Sequence, residues 1–130
     1  MVHCGGCLCG AVRFVATGQL RGVIYCHCSQ CRKQTGHYYA ATNVADAELA
    51  VTGGQSVTWY AASAEARRGF CSVCGSALFW KNNRSRHTSI MAGSFDNSAA
   101  LKGESHIFVA DKGAYYSIDD GLPCFSHGQN

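Results

Sequence analysis

The segment Gly5-Gly6-Cys7-Leu8-Cys9-Gly10 sets two thiols one residue apart among glycines, and Cys71-Ser72-Val73-Cys74-Gly75 repeats the device later in the chain. A C-x-C or C-x-x-C turn brings two sulfurs together with backbone amides pointing at them, and a flanking glycine lets the chain turn tightly without a Cβ clash. Two such turns supply the ligands of a closed tetrahedral zinc site, with each sulfur about 2.3 Å from the metal. Cys7, Cys9, Cys71 and Cys74 are accordingly assigned to one site that staples the N-terminal strand to the middle of the chain. An alternative set pairs Cys4-x-x-Cys7 with Cys71 and Cys74 and leaves Cys9 free. A third leaves the thiols buried and metal-free, although buried structural cysteines do not usually cluster at ligand spacing.

Working outward, Cys26-His27-Cys28-Ser29-Gln30-Cys31 offers three thiols from one loop and no fourth cysteine at ligand spacing. Zinc closed by four protein ligands is structural, whereas three ligands leave a position where a substrate atom binds and is polarised. Cys26, Cys28 and Cys31 are therefore the candidate catalytic residues. His27, His37 or Cys124 would close this site if it arrived as a fourth ligand; otherwise the His27 ring points outward or serves as a supporting group. A three-cysteine iron–sulfur cluster would use the same sulfurs and be coloured.

Around these loops the chain reads as short strands. Residues 11–16 alternate Val12 and Phe14 against Arg13, and residues 22–26, 38–44, 48–52 and 57–61 are β-branched or aromatic runs separated by turn glycines such as Gly53-Gly54. Residues 77–81, 88–91, 106–110 and 115–118 continue the pattern. Helical signals are weak: one turn over 29–35, another over 97–101, and an Ala-rich stretch at 61–68 without a clear apolar face. The expectation is a mainly β single domain, 1–130, built from small antiparallel sheets. So many short strands bury limited apolar surface and need a cross-link.

Composition bounds the rest. At 130 residues the chain fits one domain, and its 47% apolar content falls to about 40% once the nine cysteines are set aside. A formal charge of +3 with no basic run longer than a pair argues against nucleic acid. No apolar run reaches the roughly 18 residues of a membrane span, and no basic segment leads into an apolar one after Met1. A cytoplasmic protein without membrane partners is expected. An odd number of cysteines in a reducing compartment speaks for metal rather than disulfides. With its thiols committed to zinc as −2 and −1 sites, the folded chain carries a charge near zero.

Three motifs in order, 6–14 around Cys7 and Cys9, 26–33 from Cys26 to Lys33, and 70–76 around Cys71 and Cys74, closely resemble the glutathione-dependent formaldehyde-activating enzyme family, which includes centromere protein V. His106-Ile107-Phe108-Val109 and Asp120-Gly121-Leu122-Pro123-Cys124-Phe125 extend the likeness over nearly the whole chain, although the family often carries Trp where Tyr115-Tyr116 stands here. The resemblance implies a zinc-stapled β-tent fold with two Zn²⁺ ions, a structural one at Cys7, Cys9, Cys71 and Cys74 and a catalytic one at Cys26, Cys28 and Cys31. It implies a carbon–sulfur lyase that joins glutathione to formaldehyde as S-(hydroxymethyl)glutathione, a formaldehyde detoxification. Relatives of this fold also serve as binding modules, and another aldehyde or thiol is the further alternative.

Glutathione carries two carboxylates, so its site calls for cations. Arg32 and Lys33, which follow the metal loop directly, are the first candidates, ahead of Arg67, Arg68, Arg84 and Arg86. Tyr38, Tyr39, Tyr60, Trp59 and Trp80 are candidate pocket residues, although aromatic residues on strands more often belong to the core, and Asp96 reads as a turn or cap residue. A homodimer fits so small a fold.

Overall fold

Side chains along a strand point alternately to opposite faces, so runs such as Arg13-Phe14-Val15-Ala16 bury one set and expose the other. In the computed structural model, which describes residues 1–128, ten strands and one helix follow one another. They are β1 (His3–Gly6), β2 (Arg13–Ala16), β3 (Val23–Cys26), α1 (Ser29–Thr35), β4 (Tyr39–Ala45), β5 (Leu49–Thr52), β6 (Val57–Ala61), β7 (Ala66–Cys71), β8 (Ala77–Asn82), β9 (His87–Met91) and β10 (Gly103–Ile107). The last two residues of the expected domain, 129–130, lie outside the described residues.

β1, β2 and β5 form a three-stranded antiparallel sheet, and the rest form a seven-stranded sheet in the order β10-β3-β4-β9-β8-β7-β6. Only the β10–β3 pair is parallel among the described ladders. One core joins the two sheets. Phe14 of β2 meets Phe79 of β8 and Phe95 edge to face at centroid distances of 6.0 and 5.1 Å, a geometry that adds about 0.5–1.5 kcal/mol per pair to the burial itself. Val12, Val44, Leu78 and Ile90 complete this core, and Cys7 and Cys71 belong to it. On β4, Val44 faces this layer, while Tyr39 and Ala41, at the other parity, pack with Cys31 of α1 in a second, smaller cluster. The large sheet thus carries a cysteine cluster on each side.

Four local expectations are corrected. β1 was not expected, because its His-Cys-Gly-Gly sequence carries no strand propensity; full pairing with β2 through Gly6↔Arg13 supplies what propensity does not. The Ala-rich 61–68 stretch is a hairpin between β6 and β7, closed by the Ser63 hydroxyl accepting the Glu65 and Ala66 amides at 3.2 and 3.1 Å. Residues 97–101 form a turn rather than a helix, with Asn97 Oδ1 accepting the Ala99 amide at 2.9 Å. Residues 115–118 are irregular, their tyrosines spent on histidines rather than on a ladder. The expected turn over 29–35 is a seven-residue helix, capped at its start by the Cys28 sulfur.

Candidate functional site

The turns 7–10 and 71–75 meet where the first core ends in sulfur. Cys7 Sγ lies 3.6 Å from Cys9 Sγ, Cys9 Sγ lies 3.8 Å from Cys71 Sγ, and all four ligand atoms including that of Cys74 fall within 4.8 Å of one another. Ligands held about 2.3 Å from a tetrahedral centre are about 3.8 Å apart, whereas a disulfide needs about 2.05 Å. The set therefore fits a divalent ion such as zinc. Gly10 and Gly75 stand at φ 85° and 81°, a region that only glycine enters freely, and each closes its turn directly after a cysteine. Backbone amides solvate the sulfurs: Val12 to Cys7 at 3.3 Å, Ala11 to Cys9 at 3.5 Å and Val73 to Cys71 at 3.4 Å. The Ser76 hydroxyl, helped by its amide, draws the Cys74 thiol down from 9.0 to about 5. The Ala11 amide also lowers Cys9, but desolvation and the hydrogen bond with Cys7 outweigh it and push Cys9 up to about 11. Four sulfurs this close cannot all ionise without a cation among them.

The second cluster is built from one loop. Cys26 ends β3, Cys28 caps α1 and Cys31 lies in its first turn, with the three sulfurs within 4.8 Å of one another. The Cys31 amide donates to Cys28 Sγ at 3.3 Å, and hydrogen bonds from Cys26 and then Cys31 hold the Cys28 thiol down at about 2. The same two neighbours, Cys28 first and then Cys31, push Cys26 far upward, so one negative charge forms easily and further ones require a counter-cation. Part of that positive charge is Arg68. Only 5% exposed, it donates from Nη2 to Cys31 Sγ at 3.3 Å and from Nη1 to Gln34 Oε1 at 2.9 Å, with its guanidinium 5.3 Å from the Tyr39 ring centroid. No fourth His, Cys, Asp or Glu ligand atom joins the three sulfurs among the described residues. These sulfurs, with Tyr39, Arg68 and Trp80, line a cleft of about 310 Å³ that also takes in Arg21. Three soft donors fit the same class of ion with one position left over.

His27 turns to β10 and the C-terminal segment rather than to the sulfurs. Its ring is fully buried, with Nδ1 2.5 Å from the Tyr116 hydroxyl and Nε2 2.8 Å from His106 Nδ1, while His106 Nε2 lies 2.8 Å from Asp120 Oδ2. An ionised carboxylate only accepts, so with neutral rings His106 Nε2–H donates to Asp120, His27 Nε2–H donates to His106 and Tyr116 O–H donates to His27. Burial, then the neighbouring His106, lowers His27 to about 4 and keeps that ring neutral.

The structure gathers Cys7, Cys9, Cys71 and Cys74 at one point and Cys26, Cys28 and Cys31 at another, and leaves exposed Cys4 and Cys124 out of both. Arg32 and Lys33 do not line the three-sulfur cleft. Lys33 faces a neighbouring cleft of about 610 Å³ shared with Arg68 and Tyr60, and half-buried Arg32 bears on the Tyr116 hydroxyl. Of the aromatic candidates, Tyr39 and Trp80 line the cleft, Tyr38 packs on His27, and Trp59 stacks on Phe79 under Arg67. Asp96 pairs with Arg13 instead of capping a turn. His106, Asp120 and Arg21 were not anticipated; for Arg21 the only signal was its place just before the 22–26 strand.

Residues 2–111 match the model of the family described as glutathione-dependent formaldehyde-activating enzyme. A Schizosaccharomyces pombe protein named an uncharacterized lyase is 28% identical over 121 residues, covering 93% of this chain and 82% of its own length. A crystal structure of a Rhodobacter sphaeroides protein superposes with a TM-score of 0.63 at 19% identity, over 94% of this chain and 98% of that one, and shares the fold. Among the described residues no helix is long and apolar enough to cross a membrane.

Proposed function

The chain belongs to the glutathione-dependent formaldehyde-activating enzyme family, and from that premise we propose that it is a lyase-type enzyme joining glutathione to formaldehyde or a related small aldehyde. In this reading Cys7, Cys9, Cys71 and Cys74 hold a structural zinc, and Cys26, Cys28 and Cys31 hold a catalytic one. The observation that carries it is a three-sulfur cluster without a fourth protein ligand among the described residues, opening on a cleft with a buried guanidinium at its wall.

Zinc at the three-sulfur cluster would supply an open position at which an incoming thiol loses its proton. Three thiolates donate heavily to the metal and weaken it as a Lewis acid, which favours handling of the thiol over polarising the carbonyl. In the addition, the glutathione sulfur bonds to the carbonyl carbon, the C=O π pair moves onto oxygen, and that oxygen takes up the proton the thiol gave up. The product is S-(hydroxymethyl)glutathione, with no oxidant or reductant. The chain's own residues hold the geometry: the Cys31 amide and Arg68 support the sulfurs, His106 and Tyr116 hold the His27 ring, and the His27 amide between Cys26 and Cys28 donates to the Ile107 carbonyl at 3.0 Å.

The test is nuclear magnetic resonance of ¹³C-formaldehyde with glutathione and the zinc-loaded chain. Exchange between free aldehyde and adduct faster than without protein is the expected outcome, and an uncatalysed rate would overturn the reading. The same assay across small aldehydes ranks the substrates, and isothermal titration with glutathione separates the enzyme from a binding module indifferent to thiols.

A further inference from the structure

Leaving a buried donor without a partner costs about 1–3 kcal/mol, so folded chains tolerate few of them. Among the described residues three buried side-chain nitrogen or oxygen atoms have none: Arg32 Nε, Tyr39 Oη and Arg68 Nε. Two of these belong to residues that line the cleft beside the three sulfurs. Tyr39 enters it from β4, opposite Cys26 in the β3–β4 ladder, and Arg68 from β7, its guanidinium over the Tyr39 ring. Both are 4–5% exposed. Packing and charge balance account for much of each side chain, but not for these two atoms. Arg68 engages the Cys31 sulfur and both glutamines through its terminal nitrogens, and Nε–H is left over. Tyr39 fills the small cluster with its ring, a task phenylalanine would perform without a stranded hydroxyl.

What these two groups have in common is an N–H or O–H seeking an oxygen acceptor at the place where the sulfurs gather. The addition proposed above has one oxygen whose charge changes, that of the carbonyl, which becomes more negative as the carbon–sulfur bond forms. Donors already in place for such an oxygen, within a site shielded from water, bind the transition state better than the ground state.

We propose that Tyr39 Oη–H and Arg68 Nε–H form the donor pair that receives the substrate's carbonyl oxygen, a role that rests on the aldehyde-adduct reading of the site. The pair makes no bond and passes no proton; it holds the oxygen while the thiol's proton arrives. It also gives Arg68 two distinct tasks, Nη2 towards the metal-binding sulfur and Nε towards the substrate, which lysine cannot perform together because it lacks the planar fork.

The test uses the full zinc-loaded chain with formate as probe, an anion with the size of the aldehyde and an oxygen acceptor but no carbon open to thiol attack. Isothermal titration should show formate binding to the wild type, weakened about tenfold to a hundredfold in Tyr39→Phe and in Arg68→Lys, since bonds to charged acceptors are the stronger kind. Metal content and glutathione affinity should stay at wild-type values in Tyr39→Phe, while kcat for the adduct falls by about a hundredfold with the KM for glutathione unchanged. Equal formate affinity in wild type and Tyr39→Phe, or no formate binding by the wild type, overturns the pair. If Arg68→Lys loses the second metal, Tyr39→Phe alone decides. A wild type that binds formate through Tyr39 yet forms no adduct retains the pair and refutes the reaction; rapid adduct formation indifferent to Tyr39→Phe does the reverse.

Discussion

Sulfurs are gathered in two ways in this molecule. One cluster draws on turns 62 residues apart, sits against the core between the sheets, and is solvated largely by backbone amides. The other comes from a single six-residue loop, lies on the opposite side of the large sheet, and relies on a side chain, Arg68, for its counter-charge. Amide donors are fixed by the fold and address nothing except the sulfurs. A guanidinium has several donors and can serve the sulfur and a ligand at once. The difference teaches which cluster tolerates change: closing the first around an ion would hold the sheets together, whereas the second borrows Tyr39, Arg68 and Trp80 from β4, β7 and β8.

Replacing one sulfur in each cluster tests this most severely. Cys71→Ser removes a fully buried core residue and one of the four sulfurs proposed to hold a structural zinc, an ion worth about 10–16 kcal/mol in zinc-finger peptides, so the cooperative thermal transition should disappear. Cys28→Ser should leave that transition in place while metal content falls from two per chain to one and adduct formation stops. Activity that outlived the second metal would erase the contrast. A gentler perturbation comes through the tail. Tyr116→Phe and Asp120→Ala interrupt the chain of hydrogen bonds behind His27, and a chelator should then strip the three-sulfur cluster about tenfold faster while the four-sulfur cluster holds its ion. Equal acceleration at both clusters would show that the tail supports the fold rather than the loop.

The smallest effect serves as the control. Desolvation raises the Asp46 carboxyl, but Lys81 and the Thr88 hydroxyl outweigh it and hold Asp46 below the usual carboxylate range. Its contribution is therefore complete above about pH 4 and fades as the pH falls through the lower folded-state value. Asp46→Asn should cost about 1 kcal/mol near neutrality, a modest figure because the carboxylate is 43% exposed, and should narrow the wild-type advantage in acid. Metal content at both clusters should not move.

The sulfur clusters were legible because ligand spacing is local in each half-site, and most strands were legible because alternation is local too. What escaped depends on distant partners. β1 has no strand-forming residues of its own and exists through β2, and β7 hides in an Ala-Glu-Ala-Arg-Arg run whose helical look is overridden by β6 and β8 on either side. Arg32 and Lys33 adjoin the loop in sequence, but successive helix residues point about 100° apart, and of α1 only Gln30 and Cys31 line the cleft. Arg68 could not be told from Arg67 without knowing that β7 is a strand, on which neighbours face opposite ways. The separation of 79 positions between His27 and His106 leaves no pattern to read at all.

The spacing of the two sulfur sets also orders events during synthesis. Cys26, Cys28 and Cys31 leave the ribosome 40 residues ahead of Cys71, an interval of about 2–8 s at ordinary elongation rates. Through most of that interval the emerging loop has three thiols without Arg68 to balance them, and His106 and Asp120, which hold the His27 ring, follow only later. Whatever ion it captures then is held by a half-made site and is exchangeable. The four-sulfur knot, although its first ligands emerge earliest, can be tied only after Cys74. If the three-sulfur cluster holds the proposed zinc, its metal identity would thus be decided late, by the finished fold rather than by the first ion encountered.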